Sequence, residues 1–315
     1  MAESLMDIKR RIASTKKTGQ ITKAMQMVSG SKLMQIEDKS NAYQIYENKV
    51  LETMGHLVAS KILQQYPSVT NGKPIDTKNS DPMSLDYLLM NRPVKKTAYI
   101  VVTSDRGLVG SYNSTIIKET MSLLDKKYHG DTSKFTIIAV GATGADFFKK
   151  QGFDIAYEYR GVEDVPQFQT VKGFVKTCVE LFDNGVYDEL YICHSHHVNS
   201  LTSKVTINKL LPISRDIASK QDIEDAKKDQ KEYIVDPSVE VVLQKLVPQY
   251  IESLIFGSLM DAKTAEHAAS MTAMKAASEN AQDLIDTLSL RYNRARQAKI
   301  TTEIIEIVSG AAALQ

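Results

Sequence analysis

The spacing of apolar and small residues near the start of the chain predicts a long helix that packs against a second helix. A seam with alternating steps of four and three residues consists of Ile8, Ile12, Thr15, Gly19, Thr22, Gln26, Ser29, Leu33 and Ile36. This spacing is typical of coiled coils, although several of the seam residues are small or polar. We therefore expect a partner helix at close approach, and a first helix that is not stable alone.

A second long helix is predicted at the other end, because residues 258–309 contain neither Gly nor Pro. Pro248 suits the first turn of this helix, where the missing N–H is not needed. A helix from Pro248 to about Ala313 would be roughly 100 Å long, which is too long for one compact domain. We expect the two long helices to pair antiparallel, with roughly the last dozen residues extending past the shorter partner.

Strands alternate with helices in the middle of the chain. Residues 97–110 and 135–153 each contain an apolar strand followed by a Gly turn, and a helix follows each turn. A helix near 167–184 precedes a third strand at 189–198, and residues 204–213 predict a further strand. This alternation implies a small, mostly parallel, Rossmann-like α/β sheet.

The predicted fold class is therefore α/β, with an antiparallel coiled coil of long N- and C-terminal helices and an inserted small, mostly parallel α/β domain. The expected parts are a coiled-coil helix at 1–60, an exposed loop insert at 61–96, the α/β domain at 97–215, a charged loop at 216–237 and a coiled-coil helix at 238–315.

Composition excludes a few classes of protein. A formal net charge of +1 argues against a general nucleic-acid binder, and no apolar run is long enough to span a bilayer. The first residues lack the apolar stretch of a secretory signal, so we expect a cytoplasmic protein. Two cysteines, Cys178 and Cys193, are too few for a disulfide framework and are expected to be reduced packing residues.

Motifs for chemistry are weak in this sequence. The Gly turns in SDRGLVGSYN and VGATGAD follow strands, where phosphate-binding loops occur, but neither matches a dinucleotide or P-loop motif. On a strand, His194 and His196 would share one face and His197 would point the other way, which does not make a zinc site. The sequence therefore predicts no catalytic residue, no cofactor and no metal site.

The C-terminal end carries a stronger signal. Arg291, Arg294, Arg296 and Lys299 precede an apolar stretch with Ile304, Ile305, Ile307, Val308 and Leu314. Salt bridges to the antiparallel helix would explain the cations but not the apolar stretch. A helix with a wide apolar surface must be buried, so the pattern indicates a shaft that enters a socket made by partner proteins.

Four stretches resemble the gamma subunit family of F-type ATP synthases: IKRRIASTKKTGQITKAMQMVSGSK, TSDRGLVGSYN, AEHAASMTAMKAASENA and YNRARQAKITTEIIEIVSGAAAL. The resemblance implies a non-catalytic central-stalk rotor, present in one copy, that couples proton-driven rotation to conformational change in catalytic beta subunits. It implies that the shaft lies inside a hexamer of alpha and beta subunits, and that its foot binds the epsilon subunit and the membrane c-ring. It also implies a peripheral location on the cytoplasmic face of a bacterial cell membrane.

The resemblance further assigns contact residues. Arg296, Gln297 and Thr301 match residues that meet a loop of a beta subunit, and Met25 matches a position near an acidic beta loop. The apolar stretch that begins at Ile304 matches a tip that lies in a sleeve of alpha and beta subunits. Ser270 stands where the family often has Arg, so one contact to the acidic loop is expected to be missing.

Two other classes of protein remain open at this point. One is a nucleotide-binding α/β enzyme with helical extensions, and the other is a passive coiled-coil scaffold. The missing phosphate-loop motifs count against the enzyme. The apolar end and the adjoining Arg–Gln pair count against the scaffold.

Overall fold

A computed structural model describes residues 4–65, 93–199, 202–212, 236 and 239–313. The chain divides into two compact units. Unit 1 comprises residues 1–31 and 270–315, and unit 2 comprises residues 32–269. Most of the predicted loop insert and most of the predicted charged loop lie outside the described residues.

Two long helices, α1 (Leu5–Gln65) and α5 (Val239–Ala313), contribute to both units. Pro248 lies inside α5, so the expectation that it occupies the first turn is wrong, whereas the helix begins at Val239, next to the expected boundary at residue 238. A proline at an interior position removes one backbone hydrogen bond. Val247 and Ile251 on either side of it are completely buried, and this packing offsets the lost bond.

In unit 1 the two helices run antiparallel at close distance. Ser29 Oγ lies 3.0 Å from Ser270 Oγ, and Ser278 Oγ donates a hydrogen bond of 3.4 Å to the Gly19 carbonyl. A Cβ atom built on Gly19 would lie only 3.3 Å from the Cβ of Ala281. The small residues of the seam therefore permit the close approach that the sequence predicts.

The predicted seam of α1 is confirmed. Each of its nine residues, from Ile8 to Ile36, is buried or partly buried, whereas most residues between them are exposed. The ends of the seam are the best buried, since Ile8 is 3% exposed and Ile36 is 0% exposed. The middle of the seam relies on small and polar side chains, so little apolar area is buried there.

Unit 2 contains a five-stranded sheet with the strand order β3-β2-β1-β4-β5. Its strands are β1 (Thr97–Val102), β2 (Phe135–Val140), β3 (Ile155–Tyr159), β4 (Glu189–Asn199) and β5 (Thr202–Leu211). All neighbouring pairs are parallel except β4 and β5, which are antiparallel. The sheet is mostly parallel, as predicted, but the sequence did not predict strand β3. Its sequence IAYEY is partly buried throughout, so it lacks the continuous apolar run that indicates the inner strands.

Three shorter helices cover this sheet: α2 (Tyr112–Tyr128), α3 (Ala142–Lys150) and α4 (Phe168–Asp183). Alternate residues of β1 face two separate cores, as the period of a strand requires. Tyr99 and Val101 pack with residues of α2 and α3, whereas Ala98 and Ile100 pack with residues of α4, α1 and α5. The fold is thus α/β, with paired long helices and an inserted, mostly parallel sheet.

Candidate partner-binding site

The end of α5, which belongs to unit 1, is exposed over a long stretch. Leu288 is 1% exposed, but every described residue from Arg296 to Ala311 is exposed. The antiparallel pairing of unit 1 therefore buries α5 up to about Leu288 and still partly covers Tyr292 and Ala295. From Arg296 onward, α5 continues without cover from the described part of the chain. The length of this uncovered stretch exceeds the dozen residues expected from the sequence.

Large apolar side chains form a broad face of this exposed stretch. Ile304, Ile305, Ile307 and Val308 are 55%, 58%, 71% and 62% exposed. Because successive helical residues are turned by about 100°, these four side chains spread over an arc of about 160° and form one broad face of the helix. We call them the apolar tip; Leu314, which the sequence assigns to the same surface, lies outside the described residues. Contiguous exposed apolar surface of this kind marks a site of interaction.

A polar band of three residues adjoins the apolar tip. Arg296, Gln297 and Thr301 are all exposed, and Thr301 Oγ1 donates a hydrogen bond of 2.9 Å to the Gln297 carbonyl. Gln297 and Thr301 are one turn apart and share a face of α5. Within the part of the chain that the structure describes, no carboxylate pairs with Arg296, and the same holds for Arg291 and Arg294. Salt bridges to α1, the simpler explanation of these cations, are thus not found there.

Met25 lies elsewhere in unit 1. It is partly buried on α1, between Gly19 and Gly30, and those glycines face Ala281 and Met271 of α5. Met27 and Val28 beside it are 63% and 55% exposed. The structure therefore does not bring Met25 together with the polar band, and the two lie at separate places along the helix pair.

The carboxyl edge of the sheet in unit 2 is where ligands bind in doubly wound α/β folds. Here the carboxylate of Asp105 occupies the amino end of α3: its Oδ1 accepts from the Ala142 N–H at 2.9 Å, and its Oδ2 accepts from the Val162 N–H at 2.9 Å. Thr103 Oγ1 accepts from the Gly144 N–H at 2.9 Å. An incoming phosphate would need these same N–H donors, so the Gly turns here are structural.

Helix α5 also covers this edge of the sheet. Tyr112 Oη donates a hydrogen bond of 3.1 Å to the Ala262 carbonyl, and His267 Nε2 donates one of 3.2 Å to the Asp164 carbonyl. Because a stretch of the chain's own helix fills the place where a nucleotide would bind, the geometry counts against the nucleotide-binding enzyme.

An ion pair is buried within this stretch of α5. Lys263 Nζ lies 2.9 Å from Glu266 Oε2, and the two side chains are only 5% and 10% exposed. Burial raises the pKa of Glu266, an effect that the nearby charge of Lys263 opposes. Each charge is therefore tolerated at this buried site because the other charge lies beside it.

Replacing Glu266 alone is expected to destabilise the chain more than replacing the pair. Glu266→Leu would leave Lys263 charged and buried without its partner, which costs about 3–5 kcal/mol. The matched control Lys263→Met/Glu266→Leu removes both charges at similar volume and is expected to cost far less. Urea unfolding of the full chain, followed by circular dichroism, measures both variants. Equal losses in the single and double variants would contradict this explanation.

Asp261, which sequence reasoning did not single out, joins α5 to the end of β4. Its Oδ2 lies 3.2 Å from His194 Nε2 and 2.7 Å from His196 Nδ1, and its Oδ1 accepts from the His197 N–H at 2.9 Å. We call these four residues the histidine cluster. Among the described residues, no group of three or more His, Cys, Asp or Glu side chains is arranged to hold a metal ion. The only sequence signal for Asp261 is an acidic residue in the otherwise alanine-rich stretch SLMDAKTAEHAAS.

Both cysteines, Cys178 and Cys193, are buried, and neither forms a disulfide bond. Burial raises the pKa of Cys193 to about 12. Burial likewise raises the pKa of Cys178 well above its ordinary value. Because the thiolate is the reactive form, both residues are expected to be inert packing groups.

In the described part of the chain, no helix is both long and apolar enough to cross a membrane.

Comparison with solved structures defines the class of fold. A chain of the Tetrahymena thermophila mitochondrial ATP synthase central stalk and c-ring aligns with a TM-score of 0.56 at 23% identity, covering 82% of this chain and 99% of that one. A chain of the Euglena gracilis mitochondrial ATP synthase aligns with a TM-score of 0.53 at 17% identity, covering 90% and 95%. The chain thus has the fold of a component of ATP synthase.

Sequence comparison identifies the family. A family model described as ATP synthase matches residues 4–314. The ATP synthase gamma chains of Lacticaseibacillus paracasei, Enterococcus faecalis and Lactobacillus johnsonii are 56%, 50% and 46% identical, over the whole length of each chain. The chain therefore belongs to the ATP synthase gamma chain family, which provides a non-catalytic rotor subunit of the F-type complex.

Proposed function

We propose that this chain is the central shaft that transmits rotation to three catalytic beta subunits in turn. The observation that carries the proposal is the apolar tip: four large side chains that are more than half exposed at the end of a helix. Such a surface is costly in water, and a sleeve of partner subunits would bury it. A passive scaffold would have no need of a broad, exposed apolar face at the end of its helix.

The proposed partners follow from this role. One copy of the chain would place the apolar tip inside a hexamer of alpha and beta subunits, while its foot binds the epsilon subunit and the membrane c-ring. Both solved structures that share the fold are of ATP synthase assemblies that include the c-ring. In this arrangement the chain is a peripheral protein on the cytoplasmic face of the bacterial cell membrane.

The polar band would make the directional contacts with a beta subunit. Arg296 presents an exposed guanidinium, which suits bidentate bonding to a carboxylate. Gln297 and Thr301 add neutral donors and acceptors one turn apart. Met25, with the basic first half of α1, would face an acidic loop of a beta subunit. At Ser270 the side chain bonds to Ser29 within unit 1 instead of reaching outward.

Removing the polar band is expected to weaken coupling more than assembly. In the variant Arg296→Ala/Gln297→Ala/Thr301→Ala, hydrogen bonds worth about 1.5–3 kcal/mol each to charged groups are lost, while the apolar tip is intact. Proton pumping per ATP hydrolysed in inverted vesicles should fall, although the complex should still purify with its full set of subunits.

The matched control is Arg291→Ala/Asn293→Ala, which removes an exposed arginine and an exposed amide from the same helix just before the polar band. It is expected to leave pumping unchanged. Unchanged pumping in the triple variant, or an equal loss in the control, would remove Arg296, Gln297 and Thr301 from the proposed site.

A further inference from the structure

A methionine of α5 fills the notch that a glycine leaves in the helix pair of unit 1. A Cβ atom built on Gly30 of α1 would lie 3.3 Å from the sulfur of Met271. The Oγ atoms of Ser29 and Ser270, each the preceding residue on its helix, are 3.0 Å apart. The thioether of Met271 therefore packs on the backbone of α1 at a point where the two helices approach each other closely. An unbranched, flexible methionine suits such an irregular gap.

Little apolar area holds the helix pair together in this region. The seam of α1 from Thr15 to Ser29 consists of small and polar residues. On α5, Met271 and the buried Met274 supply apolar packing that the facing part of α1 lacks. Because so little apolar area is buried here, the loss of one such side chain matters more than it would in an ordinary core. A change that makes Met271 polar is therefore expected to loosen this part of the helix pair.

The described methionines differ in how well solvent reaches them. One group is 63–80% exposed, so its oxidation would disturb little packing: Met6, Met27 and Met34. A second group is at most 4% exposed and is shielded from solvent: Met54, Met260 and Met274. Met271 belongs to a third group, which is only partly buried. It therefore combines access for a small oxidant with a sulfur atom that packs against the opposite helix.

We propose that Met271 is a redox-sensitive switch of the helix pair, and that its oxidation by a hydroperoxide loosens the seam. The sulfur attacks one oxygen of the hydroperoxide, so that an S–O bond forms while the O–O bond breaks. The proton of the attacked oxygen passes to the leaving oxygen. The sulfur is thus oxidised to a sulfoxide, and the hydroperoxide is reduced to water or an alcohol. Methionine sulfoxide is polar and chiral, and reductases return it to methionine, so the change is reversible.

The added oxygen has no room on the side of Gly30. A Cβ at this position would already be in tight contact with the sulfur, so an oxygen bonded to the sulfur on that side would press on the backbone of α1. On any other side it would still place a polar group in the seam. Either the helices separate or the side chain leaves the gap, and both outcomes remove packing. This inference concerns the helix pair itself and stands apart from the role of the apolar tip.

Hydrogen exchange in the purified ATP synthase complex tests the proposal. The complex is treated with hydrogen peroxide, and mass spectrometry of its peptides measures the sulfoxide at each methionine. Exchange in peptides that cover α1 from Thr15 to Ser29 measures the opening of the helix pair. Once Met271 is oxidised, this exchange is expected to speed up on the order of tenfold, as the loss of packing at one site allows. Treatment with methionine sulfoxide reductases should restore the original rate.

Three variants make the test decisive. Met271→Leu keeps the volume of the side chain but cannot form a sulfoxide, so peroxide should leave its exchange unchanged. Met27→Leu, the matched control, removes an exposed methionine of α1 and should retain the full acceleration. Met271→Gln places a polar amide in the gap without any oxidant and should speed up exchange by itself. The proposal is overturned if oxidation of Met271 leaves exchange unchanged, if Met271→Leu responds fully, or if Met271 resists oxidation while Met27 is oxidised.

Discussion

A disulfide between position 296 of α5 and the facing loop of a beta subunit is expected to stop ATP turnover, and reduction is expected to restore it. The bond would join the proposed shaft to the surrounding hexamer, so that the shaft could no longer turn. Arg296 is exposed, so Arg296→Cys is tolerable in the chain itself. A disulfide forms only when two Cα atoms come within about 7 Å, so formation of the bond also tests the proposed contact. Steady-state ATP hydrolysis before and after addition of a thiol measures the effect.

The matched control is a disulfide within the helix pair. Gly19→Cys/Ala281→Cys suits this purpose, because the Cβ atoms at these positions would be 3.3 Å apart, close to the usual 3.5–4.5 Å of disulfides. It joins α1 to α5 inside unit 1, and turnover should survive because both helices belong to the same rotating body. The buried native thiols Cys178 and Cys193 should not compete in either case. Full turnover with a completely formed bond to beta, and no slip at the tip, would refute rotation against this contact.

Periodicity predicted the seam of α1 because burial there repeats regularly along one helix. Ile8 and Ser29 fall on the same face whichever side chain fills each position, so even a seam poor in apolar residues is visible. Strand β3 was missed for the opposite reason: it lies at the edge of the sheet, where partial burial accepts Tyr and Glu. The predicted position of Pro248 in the first turn of α5 was wrong, because the local preference of proline for a first turn is weaker than the packing around Val247 and Ile251.

The candidate site was only partly predictable. The apolar tip could be inferred from the sequence because four large side chains form a broad face on a helix that has nothing left to bury them. The roles of Arg296 and Gln297 came from the resemblance, since no spacing rule distinguishes them from Arg291 or Arg294. Asp261 could not be found at all, because its partners lie on a strand more than sixty residues away along the chain.

Gly141→Ala is expected to destabilise unit 2 severely. Gly141 has a φ of +90°, and a Cβ at this position would lie 2.2 Å from the Thr103 carbonyl oxygen. That oxygen cannot move away easily, because Thr103 is fixed to β2 by its own N–H, which donates to the Val140 carbonyl at 2.8 Å. Backbone strain and overpacking each cost about 1–3 kcal/mol, which together is a large part of the 5–15 kcal/mol typical of a folded protein.

Gly107→Ala is the matched control for this prediction. Gly107 lies in the other Gly turn, which follows β1, but a Cβ there would have nothing within 4 Å and its φ is not positive. The change should therefore stay within about 0.5 kcal/mol. Urea unfolding of the full chain should show a strongly lowered midpoint for Gly141→Ala, and less of this variant should be recovered in the assembled complex. If the two alanine variants unfold at the same urea concentration, the close approach of Gly141 to Thr103 is not what fixes α3 against the carboxyl edge of the sheet.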